Sequence, residues 1–147
     1  MATAVAEKGS PKGPLGLENP MGTDGFEFVE YAAPDPELLR SLFTRMGFPA
    51  VAHHKRKNVT LHRQGDCNFI INAEPKSFAE EFARAHGPCA CAMAFRFKDA
   101  AAAHARALEL GATNVDSDVA EGELKIPAIE GIGGSRRNPR RSCRARR

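Results

Sequence analysis

Apolar and polar positions along the chain repeat as a unit that occurs twice, offset by 64 positions: an alternating stretch, an aspartate, a helical stripe, then a glycine. Asp35 and Gly47 recur as Asp99 and Gly111. In the first copy Phe26, Phe28 and the segment to Tyr31 read as a strand; in the second, Met93, Phe95 and Phe97 alternate in the same place. Asp35 can cap a helix that Pro36 opens, and Leu38, Leu39, Leu42, Phe43 and Met46 then share one face at the 3.6 period, a stripe expected to be core. Gly47 suits the left-handed residue that ends such a helix. In the second copy Asp99 caps a run with Ala100, Ala103, Ala107 and Leu110, and Gly111 closes it, so a smaller apolar face predicts closer packing.

Turn residues and β-branched residues follow each helix. Three strands are expected after Gly47, at Phe48 to Arg56, Asn58 to Arg63 and Asn68 to Ala73, with Gln64-Gly65-Asp66 turning between the last two. A linking helix begins at Ser77, which forms a capping box with Glu80; Phe78, Phe82 and Ala85 are its expected buried side, and His86-Gly87-Pro88 ends it. The second unit offers strands near Ala92 to Phe97, Thr113 to Asp116 and Leu124 to Ile129, one fewer than the first. The order is strand, helix, strand, strand, strand, given twice, the second time without its last strand.

The length of 147 residues suits one domain. Residues 1–19 are rich in Gly, Pro and Lys without periodicity and read as a disordered leader without a signal peptide; no segment is apolar for long enough to span a membrane. Four cysteines, Cys67, Cys89, Cys91 and Cys143, without an export signal predict reduced thiols and a cytoplasmic protein. The formal charge of +3 is misleading: of 21 basic residues seven are arginines in 136–147, so 14 face 18 acidic residues elsewhere, about −4. That tail lacks aromatics and any helix signal, so it does not indicate nucleic-acid binding.

Segments spread over positions 19–135 point to a family. Asn19-Pro20-Met21-Gly22, Gly25-Phe26-Glu27-Phe28-Val29-Glu30, Met46-Gly47-Phe48, Arg63-Gln64-Gly65, His86-Gly87-Pro88, Ala94-Phe95-Arg96, Ala107-Leu108-Glu109-Leu110-Gly111-Ala112, Ile126-Pro127-Ala128-Ile129 and Gly131-Ile132-Gly133-Gly134 together resemble bacterial 4-hydroxyphenylpyruvate dioxygenase. The resemblance implies an α+β chain of the vicinal-oxygen-chelate (glyoxalase-like) fold, built from paired βαβββ modules, the second lacking its last strand. It implies a disordered leader at 1–19, a domain at 20–135 (module one about 24–74, linking helix 77–86, module two about 89–135) and a disordered arginine-rich tail at 136–147. The family's whole chain is similar to two such halves, of which this sequence resembles the first. The resemblance implies conversion of 4-hydroxyphenylpyruvate and O2 to homogentisate and CO2 in tyrosine catabolism. It implies too that in the complete family member iron(II) is held by two histidines and a glutamate of the second half, in a full-length homo-oligomer. Hydroxymandelate synthase shares the fold and substrate.

Metal-binding members of the fold place a ligand in the first strand of each module. By resemblance that slot is Phe28 in module one and Ala92 in module two, and neither side chain binds a metal. No residue of this chain is therefore expected to be catalytic, cofactor-binding or metal-ligating, and the chain alone is expected to be inactive, a structural or assembly module. The other candidates have plain readings. His53-His54 point to opposite faces of a strand, His62 could approach one of them across a hairpin, and these imidazoles read as surface residues, as does His104 in part. Cys89 and Cys91 with Cys67 are spaced unlike structural zinc ligands and read as small buried thiols. Gly131-Ile132-Gly133-Gly134 lacks the lysine and helix of a phosphate loop, and the Asn58-Val59-Thr60 sequon has no meaning without export. From Arg136 the sequence departs from the family, as a shifted or prematurely ended reading frame would make it. Loss of the strand predicts an unpaired edge and an aggregation-prone product.

Overall fold

Each punctuated stretch becomes one element. The computed structural model of the protein describes residue 16 and residues 18–116, 125–132 and 135–141. The first module is β1 (Thr23–Ala32), α1 (Pro36–Arg45), β2 (Ala50–His53), β3 (Val59–Gln64) and β4 (Cys67–Asn72). The linking helix α2 (Phe78–His86) leads to β5 (Cys89–Phe97), α3 (Ala100–Glu109), β6 (Asn114–Val115), β7 (Ala128–Glu130) and β8 (Arg136–Arg141). One sheet contains the eight described strands in the order β2-β3-β4-β1-β5-β8-β7-β6. β1 runs parallel to β4 and β5 parallel to β8, while β1 and β5 meet antiparallel at the centre. This is the paired βαβββ arrangement, and its symmetry matches the sequence repeat. Pro36–Arg45 and Ala100–Glu109 differ by 64, and Val29 pairs with Met93, its own equivalent, where the axis relating the modules crosses the sheet.

The helix starts follow from the expected caps. Asp35 Oδ1 accepts from the Glu37 amide at 3.0 Å, and Asp99 Oδ1 from the amides of Ala101 and Ala102 at 3.0 and 3.1 Å. Ser77 Oγ accepts from the Glu80 amide at 3.2 Å, and Glu80 reaches back to the Lys76 amide at 2.7 Å, one residue outside the usual capping box. Gly47 leaves α1 at φ 85°, a left-handed conformation that favours glycine; a Cβ there would also meet Gln64 Nε2 at 2.6 Å, the tip of an exposed side chain that can shift.

The core differs from the stripe read along α1. Leu39 and Phe43 are buried with Phe48 and Ile71, against Tyr31 and Phe69, whereas Leu38, Leu42 and Met46 are 53, 39 and 51% exposed. A ten-residue helix lying on a sheet buries a narrow strip, and five apolar residues are more than that strip holds. On α2, Ala79 and Ala83 are buried with Ala32 and Cys91, Phe78 and Phe82 flank them, and Ala85 is exposed. Small side chains on both partners let this helix approach the sheet, so the aromatic residues lie beside the contact.

Two further expectations are corrected. The second module does not lack its last strand: Arg136–Arg141 is β8, in register with β5 from Ala92↔Arg136 to Phe97↔Arg141 and with β7 at Ile129↔Arg137 and Glu130↔Arg136. The β5 edge expected to be bare is therefore paired, and the strand belongs to the sheet although it falls in the segment read as a disordered tail. Ladder bonds are made by backbone groups that every residue but proline carries in full, so an open slot beside β5 accepts a sequence with no strand pattern. Pro139 lies beyond the two residues paired with β7, where one side of β8 needs no donor to that strand. At the other end Asn19, read as the last residue of the leader, is part of the fold: its side chain bridges Thr23 O and Thr23 N at 2.9 and 3.0 Å. The rest of that leader apart from Gly16 and Glu18, and residues 142–147, lie outside the described residues.

Candidate functional site

Strand register decides which side chains can meet. Leu61, Ile70, Glu30 and Ala92 form one row across β3, β4, β1 and β5; His62, Phe69, Val29 and Met93 form the next. Neighbouring rows point to opposite faces. Phe43 of α1 packs on Phe69 and His62 at ring distances of 5.1 and 5.7 Å, so the second row faces α1 and the first faces away from it.

Phe28 and Ala92, the two positions expected by resemblance to be ligand slots, lie on the face away from α1, around the axis of the repeat. Phe28 is paired with Ala94 and Ala92 with Glu30, and Phe28, Ala92 and Ala94 are buried. Three of these four central positions are hydrocarbon. The exception is Glu30, which the sequence reading did not single out. Asn72 Nδ2 donates to Glu30 Oε1 at 2.7 Å, and Cys91 Sγ, turned toward the same residue where the register slips between Glu30 and Tyr31, lies 3.6 Å from Glu30 O and 4.0 Å from Oε1. These partners come from residues 42 and 61 positions away, which no local pattern reveals. A site of two histidines and a carboxylate cannot be assembled from Phe28, Ala92 and Ala94 with one committed glutamate, so the residues present do not fit iron(II). Among the described residues no group of three or more His, Cys, Asp and Glu is placed to hold a metal.

Nor do the thiols offer a nucleophile in the sheet. Burial pushes Cys91 up to about 12, with the charges of Glu30 and Cys89 adding to it, and burial also raises Cys89 and Tyr31. Cys67, read as a buried thiol, is exposed at the start of β4. Cys143 lies outside the described residues.

The histidines separate. His53 and His54 are exposed, and His54 Nδ1 accepts from the amides of Arg56 and Lys57 at 3.2 and 3.1 Å. His62, read as a surface residue, is 2% exposed: its register partner is Ala50, its Nδ1 lies 3.0 Å from Phe48 O and its Nε2 3.3 Å from Thr60 Oγ1. Even parity along β3 turns it inward, and two polar partners remove the cost of burying it. His104 is half-buried, 3.3 Å from Ala128 O.

Among the described residues, two open clefts flank the sheet. One, of about 400 Å³, lies where β1 and β4 begin, between Phe26, Phe28, Phe69, Cys67 and Arg96. Its polar groups are engaged within the protein: Arg96 bonds Asp24 O at 3.2 Å and Glu27 at 3.5 Å, and Asn68 joins Glu27 O to Arg63 at 2.9 and 2.7 Å. The other, of about 360 Å³, lies between Pro36, Asn72, Glu80 and Arg84. Neither brings a histidine to its wall. Among the described residues no helix is long and apolar enough to cross a membrane.

Comparison with known proteins supplies the family. The family described as "Hydroxyphenylpyruvate dioxygenase, HPPD, N-terminal" matches residues 17–137. "Hemolysin VllY" of Vibrio vulnificus is 55% identical over 120 residues, 80% of this chain and 34% of that protein. The 4-hydroxyphenylpyruvate dioxygenase of Pseudomonas aeruginosa is 54% identical over 120 residues, again 80% of this chain and 34% of that one. Among solved structures, a xylose isomerase-like TIM barrel/4-hydroxyphenylpyruvate dioxygenase fusion protein superposes with a TM-score of 0.75 at 37% identity, over 89% of this chain and 22% of its own. A 4-hydroxymandelate synthase mutant from Streptomyces coelicolor superposes at 0.66 with 19% identity, over 82% of this chain and 39% of its own, a likeness of fold alone. The chain spans about a third of the length of the curated relatives it matches.

Proposed function

Because the chain belongs to the hydroxyphenylpyruvate dioxygenase family, matching its N-terminal domain, we propose that these residues serve as the non-catalytic half of a 4-hydroxyphenylpyruvate dioxygenase. The enzyme they would serve turns 4-hydroxyphenylpyruvate and O2 into homogentisate and CO2, a step of tyrosine breakdown. One observation carries the reading: at both positions where the fold can place a metal ligand, this half has buried hydrocarbon, Phe28 and Ala92. An iron(II) ion supplies the oxygen chemistry of the family, and its ligands belong to a second half that these residues do not include. What this chain contributes is a rigid sheet, with a polar knot at Glu30, Asn72 and Cys91 and helices on its face. A cytoplasmic setting agrees with the free thiols of Cys67, Cys89 and Cys91. We place the domain from about residue 20 to the end of β8.

Oxygen uptake with 4-hydroxyphenylpyruvate, iron(II) and ascorbate tests the proposal. The expected rate for this chain is that of the protein-free control. Turnover dependent on the chain would refute the silent half. A hydroxymandelate synthase-like first half is the second reading; 54% identity to a dioxygenase against 19% to that synthase favours the first.

A further inference from the structure

Asp24-Gly25 is the only Asp-Gly pair in the chain, and the fold sets it where its own atoms can react with one another. β1 pairs with β5 at Thr23↔Phe97 and next at Phe26↔Phe95, so Asp24 and Gly25 together oppose Arg96 alone. Two residues against one make a bulge, whose extra residue stands outside the regular ladder. Gly25 is at φ 92°, a left-handed conformation that suits glycine, and both residues are exposed. The Asp24 carboxylate has no hydrogen-bond or ion-pair partner among the described residues. Other aspartates lack this combination. Asp35 caps α1 and is followed by Pro36, which has no N–H; Asp99 caps α3; Asp66, Asp116 and Asp118 are followed by side chains that shield the next nitrogen.

Arg96 adds an activating group. Its Nε donates to Asp24 O at 3.2 Å, and Nη2 lies 3.4 Å from where a Cβ of Gly25 would be. Glu27, 3.5 Å from Nη1, holds the guanidinium in place. A cation bonded to the Asp24 carbonyl draws electrons from the Asp24–Gly25 peptide, so the Gly25 N–H gives up its proton more readily. That nitrogen is the one placed to attack the Asp24 side chain. The same cation steadies the negative oxygen that forms when it does.

We propose that Asp24 is a site of spontaneous covalent modification, isomerising through a cyclic imide to isoaspartate in the folded chain. The Gly25 nitrogen bonds to Asp24 Cγ, and one carboxylate oxygen leaves as water with that nitrogen's proton and one from solvent. Water then adds at the backbone carbonyl carbon of Asp24 and breaks its bond to the Gly25 nitrogen, which regains a proton. The chain now runs through Cγ, one methylene longer, with its carboxylate on Cα and its mass unchanged. The test is incubation of the full 147-residue chain at neutral pH, folded and in urea, then mapping with a protease that cuts before aspartate but not isoaspartate. Cleavage at Asp24 should fade without a change of mass, at least as fast in the folded chain as in urea. Arg96→Met should slow the loss by about tenfold in the folded chain and leave it unchanged in urea. Should Arg96→Met fail to give the native circular dichroism, Arg96→Lys replaces it and should fall between. Asp24→Asn, which keeps the attack but releases ammonia, should convert faster and gain mass. A folded rate below that in urea, equal folded rates with and without the guanidinium, or isoaspartate appearing first at another aspartate would overturn the proposal.

Discussion

Leu42 and Phe43 are adjacent, apolar and equally eligible for the core by sequence, yet the fold separates them. Phe43 is 3% exposed and its ring lies 5.1 Å from Tyr31, 5.1 Å from Phe69 and 5.7 Å from His62, whereas Leu42 is 39% exposed. Phe43→Ala removes a ring from the middle of that cluster, which rigid strands cannot refill, so the expected cost is about 4 kcal/mol, transfer and cavity together. Leu42→Ala removes a side chain already partly in water and should cost about 1 kcal/mol. With a urea m-value of roughly 2 kcal/mol/M for a domain of this size, the midpoint should fall by about 2 M for Phe43→Ala and about 0.5 M for Leu42→Ala. The readout is convenient, because the chain has no tryptophan and its one tyrosine is Tyr31, so tyrosine fluorescence reports this cluster while far-ultraviolet circular dichroism reports the whole sheet. Should Phe43→Ala not fold, Phe43→Leu, expected to cost about 1.5 kcal/mol, replaces it. Equal midpoint shifts at 42 and 43, or a larger one at 42, would refute the placement of α1 on the sheet.

Three other outcomes follow from the same packing. The Cys91 contribution to stability should be constant below about pH 9 and be lost as pH rises toward 12, because the unfolded thiol releases its proton near 9.0 while the folded one holds it to about 12. The full loss from Cys91 is at most roughly 4 kcal/mol, and Cys91→Ala should make the alkaline limb shallower in a denaturation series, leaving the part that the raised Cys89 and Tyr31 carry; an unchanged limb would refute the role of Cys91. Gly47→Ala should lower stability by about 1 kcal/mol in urea, since φ is 85° and an L side chain rarely adopts it; a neutral effect would show that the turn relaxes freely. A thiol reagent under native conditions should modify Cys67 well before Cys91, and equal rates would contradict the burial of Cys91.

Much of the fold was legible because its signals are local. Asp35, Asp99 and Ser77 cap helices whose next amides lie two or three residues away, Gly47 supplies a left-handed turn, and the strands alternate with a period of two. The repeat of 64 positions then announced the symmetry that the sheet realises at Val29 and Met93. At the candidate site Phe28 and Ala92 were singled out by resemblance to the family, and the structure shows both buried; only their inability to bind a metal follows from side-chain type.

Tertiary structure decided what depends on a partner distant in sequence. The sequence named five apolar positions on α1, but only the sheet beneath selects Leu39 and Phe43 and leaves Leu38, Leu42 and Met46 outside. It named His62 as an imidazole, but the register with β4 and the carbonyl of Phe48 bury and satisfy it. The same holds for Glu30, whose contacts reach Asn72 and Cys91, and above all for β8. Arg136–Arg141 has no strand pattern of its own, and it is a strand because β5 presents a row of backbone donors and acceptors that must be paired. Patterns along a chain record what each segment prefers; the unpaired edge and the uncovered face of its neighbours determine what it becomes.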